Sequence, residues 1–142
     1  MIEHVSRHRQ SLWWKREAGG QLFARIDDNE WLIEEATGPR SDDIRSRFGF
    51  RSNRRAEQRE IDEHFILGLH YVGDWHTHPE PVPRPSPTDF ASMKEMVAAS
   101  NHELAGFLML IVGMAQPGTN LWASIHHANG CWQQLNPTTT MP

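Results

Sequence analysis

Short apolar runs alternate with turn-forming residues along the chain, and their spacing predicts a mixture of helices and strands. The first third predicts a helix from Val5 to Lys15 and two strands, Gln21 to Ile26 and Glu30 to Ala36. Residues 27–29, Asp-Asp-Asn, are typical of a turn, so the two strands are expected to form a hairpin. Gly38-Pro39 then ends the second strand.

Two later segments predict helices by the spacing of their apolar residues. The first covers 56–69 and has apolar residues every four positions: Ile61, Phe65 and Leu69. The second starts at Thr88 and has them three and four positions apart: Phe90, Met93 and Val97. Each helix is expected to pack these side chains against one side of a sheet.

Four more segments predict strands, so helices and strands are interspersed along the chain as in the α/β class. Tyr71 to Trp75 is short and apolar or aromatic, and it predicts a buried strand that ends at His76. Leu104 to Met114 predicts a central strand, and 121–126 and 131–135 are expected to complete the sheet.

The length of 142 residues fits one domain, which we assign to residues 1–135, followed by a polar tail over 136–142 that we expect to be disordered. No apolar stretch approaches the ~20 residues needed to span a bilayer, and no secretory signal is present, so we expect a cytoplasmic protein with no membrane partner. The single cysteine, Cys131, agrees with a reducing compartment and is expected to be a small buried core residue.

The net charge of −4 argues against nucleic acid as a partner, because such binding usually needs a positive surface. Arginines are nevertheless concentrated in one segment, at positions 40, 45, 47, 51, 54, 55 and 59. Two interpretations of this segment are equally supported. It is either a docking surface for an acidic partner or a solvated loop that leads into a helix.

His76-Thr-His78 carries the clearest chemistry in the chain. Side chains two apart on an extended backbone point to the same side, so both imidazoles can reach one ion, and Asp89 can supply an oxygen ligand from the start of the following helix. Three protein ligands leave one position open for water, which is typical of catalytic zinc and lowers the pKa of that water from about 15.7 to about 7. We therefore expect one Zn²⁺ per chain, with a bound water.

Other zinc patterns do not fit the sequence, which has no His-Glu-x-x-His segment and too few cysteines for a thiolate site. His126 and His127 are adjacent, and neighbouring residues on a strand point to opposite faces, so they cannot easily share an ion. We expect five further histidines to be surface or half-buried residues: His64, His70, His102, His126 and His127.

His76-x-His78, seven further residues and then Ser86-x-x-Asp89 resemble the JAMM motif of the JAB/MPN metallopeptidase family at all four positions. The resemblance implies the JAB/MPN fold, similar to that of cytidine deaminases, with a central mixed β-sheet flanked by helices. It also implies that Ser86 stabilises the oxyanion of the reaction. The residue type alone favours a helix cap for Ser86 instead, and both roles can hold together.

The family also has a glutamate upstream, and Glu17 begins a Glu-x-Gly-Gly-x-Leu segment that is similar to the family's. The resemblance implies that Glu17 is the general base and acid. Gly19 and Gly20 would let the backbone approach its neighbour closely. Ala24 stands where the family usually has glycine. Trp75, beside His76, is our candidate for a wall of the substrate cleft.

The family resemblance, which is strongest to small bacterial deconjugases in integrative elements and CBASS antiphage operons, implies the function. It predicts a zinc-dependent isopeptidase or peptidase that cleaves after the C-terminal glycine of a ubiquitin-like protein. The expected partners are that protein or its conjugate, and the conjugation enzymes of the same operon. Three alternatives stay open: a JAMM peptidase for sulfur-carrier proteins, a DNA-associated protein and a non-catalytic MPN scaffold.

Overall fold

The computed structural model describes residues 1–9, 17–28, 30–40, 44–45, 50–51, 54–100, 104–115 and 120–136, the side chains of 44–45 and 50–51 excepted. The helices are α1 (Ile2–Arg7), α2 (Arg54–Ile66) and α3 (Pro87–Ala99). The strands are β1 (Gly19–Asp27), β2 (Glu30–Ala36), β3 (Ile44–Arg45), β4 (Phe50–Arg51), β5 (His70–Thr77), β6 (Phe107–Val112), β7 (Leu121–His126) and β8 (Trp132–Leu135).

Six of these strands form one mixed sheet in the order β2-β1-β5-β6-β7-β8. β5 and β6 are parallel, and the other neighbours are antiparallel. The connection between the parallel pair contains α3, as parallel strands require. β3 and β4 form a separate two-stranded ladder. The predicted α/β class, with a central mixed sheet flanked by helices, is confirmed.

The sheet is covered on both faces, and the two cores differ in their residues. On one face Val5 of α1 packs with Leu22, Trp75 and Leu110. On the other face Met93 and Val97 of α3 pack with a second set of strand residues: Phe107, Met109 and Ile111. Every residue of β6 is buried, as expected for a central strand between two covered faces.

The predicted hairpin is confirmed, with β1 and β2 paired from Leu22↔Ala36 to Asp27↔Glu30 and Asp28 at a positive φ of 47° in the turn. α1 differs from the prediction, because it runs from Ile2 to Arg7 and residues 10–16 lie outside the described part of the chain. The expected strand over 104–114 is shorter, at Phe107–Val112.

The predicted apolar face of α2 is wrong. The helix ends at Ile66, Phe65 is 66% exposed, and Leu69 is buried only after the chain has turned at Gly68. The face that packs on the sheet is largely polar instead. His64 stacks on Phe23 with ring centroids 3.9 Å apart, and Glu60, one turn earlier, pairs with Arg40. The periodicity of apolar residues therefore pointed to the wrong side of this helix.

Two further expectations are corrected. Cys131 is exposed, since it lies in the turn before β8, the last strand at one edge of the sheet. His126 is buried at 7% exposure, because its side chain lies on the face of the sheet that α3 covers and its ring is next to Phe90 of that helix. Its Nε2 also contacts the Ser124 hydroxyl. His64, His70 and His127 are half-buried as expected. His102, residues 137–142 and much of the arginine segment lie outside the described residues.

Within the described residues, no helix is long and apolar enough to cross a membrane.

Candidate metal centre

β5 brings His76 and His78 to one end of the sheet and to one side of the strand. β1 pairs antiparallel with it, Gly19 opposite His76, and β6 pairs parallel with it, Ile111 opposite His76. The His78 N–H donates to the Val112 carbonyl at 3.0 Å, so the backbone stays fixed one residue beyond the strand. The two Nε2 atoms lie 3.1 Å apart.

The first turn of α3 supplies Asp89 to the same point. Ser86 is the N-cap, and its hydroxyl oxygen accepts from the Asp89 N–H at 3.1 Å. The Ser86 N–H donates in turn to Asp89 Oδ2 at 2.7 Å, which completes a capping box. The capping role that the sequence allows for Ser86 is thus present, and it orients the carboxylate of Asp89.

The three side chains converge as ligands of one ion would. Asp89 Oδ1 lies 3.0 Å from His76 Nε2, and Asp89 Oδ2 lies 3.1 Å from His78 Nε2. Bonds of about 2.0–2.1 Å at tetrahedral angles would separate ligand atoms by roughly 3.3 Å, close to these distances. Two imidazole nitrogens and one carboxylate are also a common donor set for catalytic metals. The residues therefore fit a metal ion.

The charges of the site favour the ionised form of Asp89 and raise the pKa of His78. Burial alone would raise the pKa of Asp89, but hydrogen bonds from His76 and His78 outweigh it and hold that pKa well below its usual value. Burial lowers the pKa of His78, but the hydrogen bond and charge of Asp89, with the charges of Glu17 and Glu80, raise it overall. The site is thus a concentration of negative charge around two imidazoles, which suits a cation.

Glu17 lies beside the histidines because β1 is tied to the end of β5. The Thr77 N–H donates to the Ala18 carbonyl, and the Ala18 N–H donates to Thr77 Oγ1, both at 2.9 Å. Continued by two residues, the register of the Gly19–His76 pair would set Glu17 opposite His78, and the charge of Glu17 does act on the His78 ring. Glu17 is only 7% exposed. The structure therefore brings Glu17, His76, His78, Ser86 and Asp89 to one end of the sheet; the catalytic roles of Glu17 and Ser86 stay predictions.

Gly20 is placed where no side chain fits. A Cβ there would lie 1.7 Å from the Thr37 carbonyl oxygen and 2.9 Å from Trp75 Nε1. The close approach expected of these glycines therefore occurs at Gly20, where it is to the chain that leaves β2. Contact at this point keeps β1 in the position that presents Glu17.

Trp75 does not line the site, so its prediction as a wall of the cleft is wrong. It is 1% exposed, and its Nε1–H donates to the Thr37 carbonyl at 2.8 Å. Its ring packs near His4 and His8, on the face covered by α1. Adjacent residues of a strand face opposite ways, so the residue beside a metal ligand points away from the metal.

Sequence reasoning assigned no role to Glu80, which borders the site. Its carbonyl accepts from the Met114 N–H at 2.6 Å, and the Pro81 carbonyl accepts from the Ala115 N–H at 3.1 Å, so the proline loop is fixed to the chain after β6. One carboxylate oxygen of Glu80 lies 3.9 Å from His78 Nδ1. The sequence feature that indicates this position is a carboxylate directly after the His-x-His-Pro segment.

Fold and site together define an α/β protein with a metal centre of two histidines and one aspartate at an end of its sheet. Residues 1–125 match the family model described as prokaryotic homologues of the JAB domain. The chain belongs to this family, and the resemblance found from the motif is confirmed.

Two curated relatives support the same grouping. The chain is 34% identical to a "CD-NTase/cGAS isopeptidase" of Enterobacter hormaechei over 77% of its own length and 62% of the relative's. It is 35% identical to a "Probable metalloprotease y4qB" of Sinorhizobium fredii over 61% of its own length and 56% of the relative's. The matches thus span less than two thirds of these relatives.

A solved structure resembles the fold. The solution structure of a protein from Desulfitobacterium hafniense superposes with a TM-score of 0.61 over 94% of this chain and 83% of that one, at 21% identity. At this identity the likeness concerns the fold alone.

Proposed function

We propose that this protein is a zinc-dependent isopeptidase or peptidase that hydrolyses the bond after the C-terminal glycine of a ubiquitin-like protein, in bacterial antiphage defence. The observation that carries the proposal is the convergence of His76, His78 and Asp89 at 3.0–3.1 Å, with buried Glu17 near enough for its charge to act on the His78 ring. A set of metal ligands with a buried carboxylate alongside is what metal-assisted hydrolysis requires.

Zinc fits the donor set, and when bound it would supply a Lewis acid that polarises the scissile carbonyl and makes water a nucleophile at neutral pH. Glu17 takes the proton of the attacking water and later delivers it to the departing amine. Its position supports this role, because its charge acts on the His78 ring and its burial limits exchange of that proton with solvent.

Ser86 serves the oxyanion in this proposal. Its oxygen accepts from the Asp89 N–H, which leaves the hydroxyl proton to be donated elsewhere. Because the capping box fixes the residue at the start of α3, the hydroxyl is held beside the ligand carboxylate. A donor that is already oriented stabilises a developing negative charge without reorganisation.

The class of substrate rests on the relatives. One of them is named for isopeptidase action that involves CD-NTase or cGAS. We extend this to the present chain as a conjugate in which a flexible C-terminal tail is linked to a lysine. The conjugation enzymes of the same operon would supply this substrate.

The test is cleavage of two fusions, in which either a ubiquitin-like protein or a bacterial CD-NTase is joined through its C-terminus to green fluorescent protein. Zinc-loaded wild type should release the fluorescent protein at the junction, and Glu17→Gln, loaded equally, should not. Cleavage of neither of these two, but of a third fusion that carries a sulfur-carrier protein in their place, would favour the sulfur-carrier peptidase. No cleavage by a zinc-loaded wild type of any of the three would contradict the proposal and favour a scaffold.

A further inference from the structure

One buried ring nitrogen of His78 has no hydrogen-bond partner among the residues that the structure describes. The residue is 7% exposed, and its Nε2 faces Asp89 and His76 at the metal centre. Its Nδ1 is the nitrogen for which the described part of the chain offers no hydrogen-bond partner. When Nε2 is a metal ligand, the neutral ring carries its proton on Nδ1, so this atom is a buried donor that needs an acceptor.

Glu80 is placed to be that acceptor. Its Oε1 lies 3.9 Å from His78 Nδ1, beyond hydrogen-bond length but within reach of a side-chain rotation. Its backbone is held by the Met114 N–H and stands between two prolines, so the side chain can turn while the main chain stays in place. Its side chain is 50% exposed, which leaves room for that movement.

We propose that Glu80 is a positioning residue of the metal centre, whose carboxylate accepts the His78 Nδ1–H and fixes the ring with Nε2 toward the metal. Such an outer carboxylate sets the tautomer of a histidine ligand and makes it more basic. This inference rests on the metal centre of the proposed function. It adds a residue that acts through His78, without contact with the substrate.

The experiment is a zinc titration of the metal-free protein against a chromophoric chelator, with no substrate present. Glu80→Ala should raise the zinc Kd about 10- to 100-fold, the usual cost of losing an outer partner of a metal ligand. Glu80→Gln should raise it less, because the amide oxygen still accepts the hydrogen bond. The control is Glu95→Ala, which removes an exposed carboxylate of α3 and should leave the Kd unchanged.

A second readout reports the ring itself. In nitrogen-15 NMR of the zinc-loaded protein, the His78 Nδ1–H proton should be protected from exchange in wild type and should exchange faster in Glu80→Ala. An unchanged Kd and an unchanged exchange rate in Glu80→Ala would overturn the role of Glu80 while the zinc centre stands. A wild type that binds no zinc would overturn the proposed function and this inference together.

Discussion

Two histidine clusters lie on the same sheet and differ in what surrounds them. At the end of β5, His78 faces Asp89, with the charges of Glu17 and Glu80 near by. On β7, His126 has its Nε2 2.8 Å from the hydroxyl of Ser124 and its ring near Phe90 and Trp132. One cluster is set among carboxylates, and the other is set among a hydroxyl and aromatic rings.

The two environments move the imidazole pKa in opposite directions. Burial lowers the pKa of both rings, but at His78 the carboxylates outweigh it and the pKa rises. At His126 burial dominates, with the charge of His127 added, and the pKa falls. Histidine content alone therefore says little about metal binding; carboxylates that converge on the ring nitrogens distinguish the metal centre.

The largest expected effect is the loss of metal and turnover, and it should occur at only one of the two histidine clusters. Asp89→Ala should lose the metal and all measurable turnover, since it removes a ligand, whereas His126→Gln should keep both. Turnover of the fusion substrates and the rise in Tm on zinc addition are the measurements. A His126→Gln protein that folds but no longer responds to zinc would show that the β7 cluster takes part in the metal centre.

Glu17→Gln should have the next largest effect. The amide cannot take a proton, so turnover should fall about 100- to 10,000-fold, the usual contribution of general acid–base catalysis. The zinc Kd should stay within a few-fold of wild type. Single-turnover rates at saturating zinc measure the loss, and a rate equal to that of wild type would remove Glu17 from the role of base.

Ser86→Ala tests the hydroxyl that caps α3 and that we propose to serve the oxyanion. We expect turnover to fall about 10- to 1,000-fold if the hydroxyl serves the oxyanion, together with about 1 kcal/mol of lost stability from the cap. Ser100→Ala is the matched control, because Ser100 ends the same helix with its hydroxyl bonded to the Met96 carbonyl at 2.7 Å. Equal turnover in the two variants would show that Ser86 caps α3 and does not serve the oxyanion.

The smallest effect is the pH dependence of stability at His126. Its pKa is lower in the folded protein than in the unfolded chain, so the unfolded chain binds more protons as the pH falls below about 6.5. The folded state should therefore lose stability there, by at most about 1.4 kcal/mol per pH unit. Urea unfolding of metal-free wild type and His126→Gln between pH 5 and 8 measures the difference, and parallel pH profiles would contradict it.

The ligand set could be predicted from the sequence because its geometry is local. His76 and His78 share a strand face by simple alternation, and Asp89 follows a helix cap that Ser86 already indicates. The same alternation points Trp75 away from the cleft. The predicted position of Glu17 depends on strand pairing, and only the family resemblance made it visible in the sequence.

The errors have a common physical origin in tertiary packing. α2 packs a polar face inward because His64 stacks on the ring of Phe23 and Glu60 pairs with Arg40. The spacing of apolar residues within the helix does not reveal these partners. Cys131 and His126 were misplaced for the same reason. One lies in a turn at the sheet edge, and the other lies beneath α3. Burial at these positions depends on which distant element covers them.

The most direct test of the metal centre is the amount of zinc per chain, measured by plasma mass spectrometry on protein purified without chelator. We expect close to one zinc in wild type and in Glu17→Gln, and almost none in His76→Ala, because Glu17 acts beside the metal and His76 holds it. A wild type without zinc, or a His76→Ala protein that keeps it, would contradict the proposed metal centre and the hydrolysis that requires it.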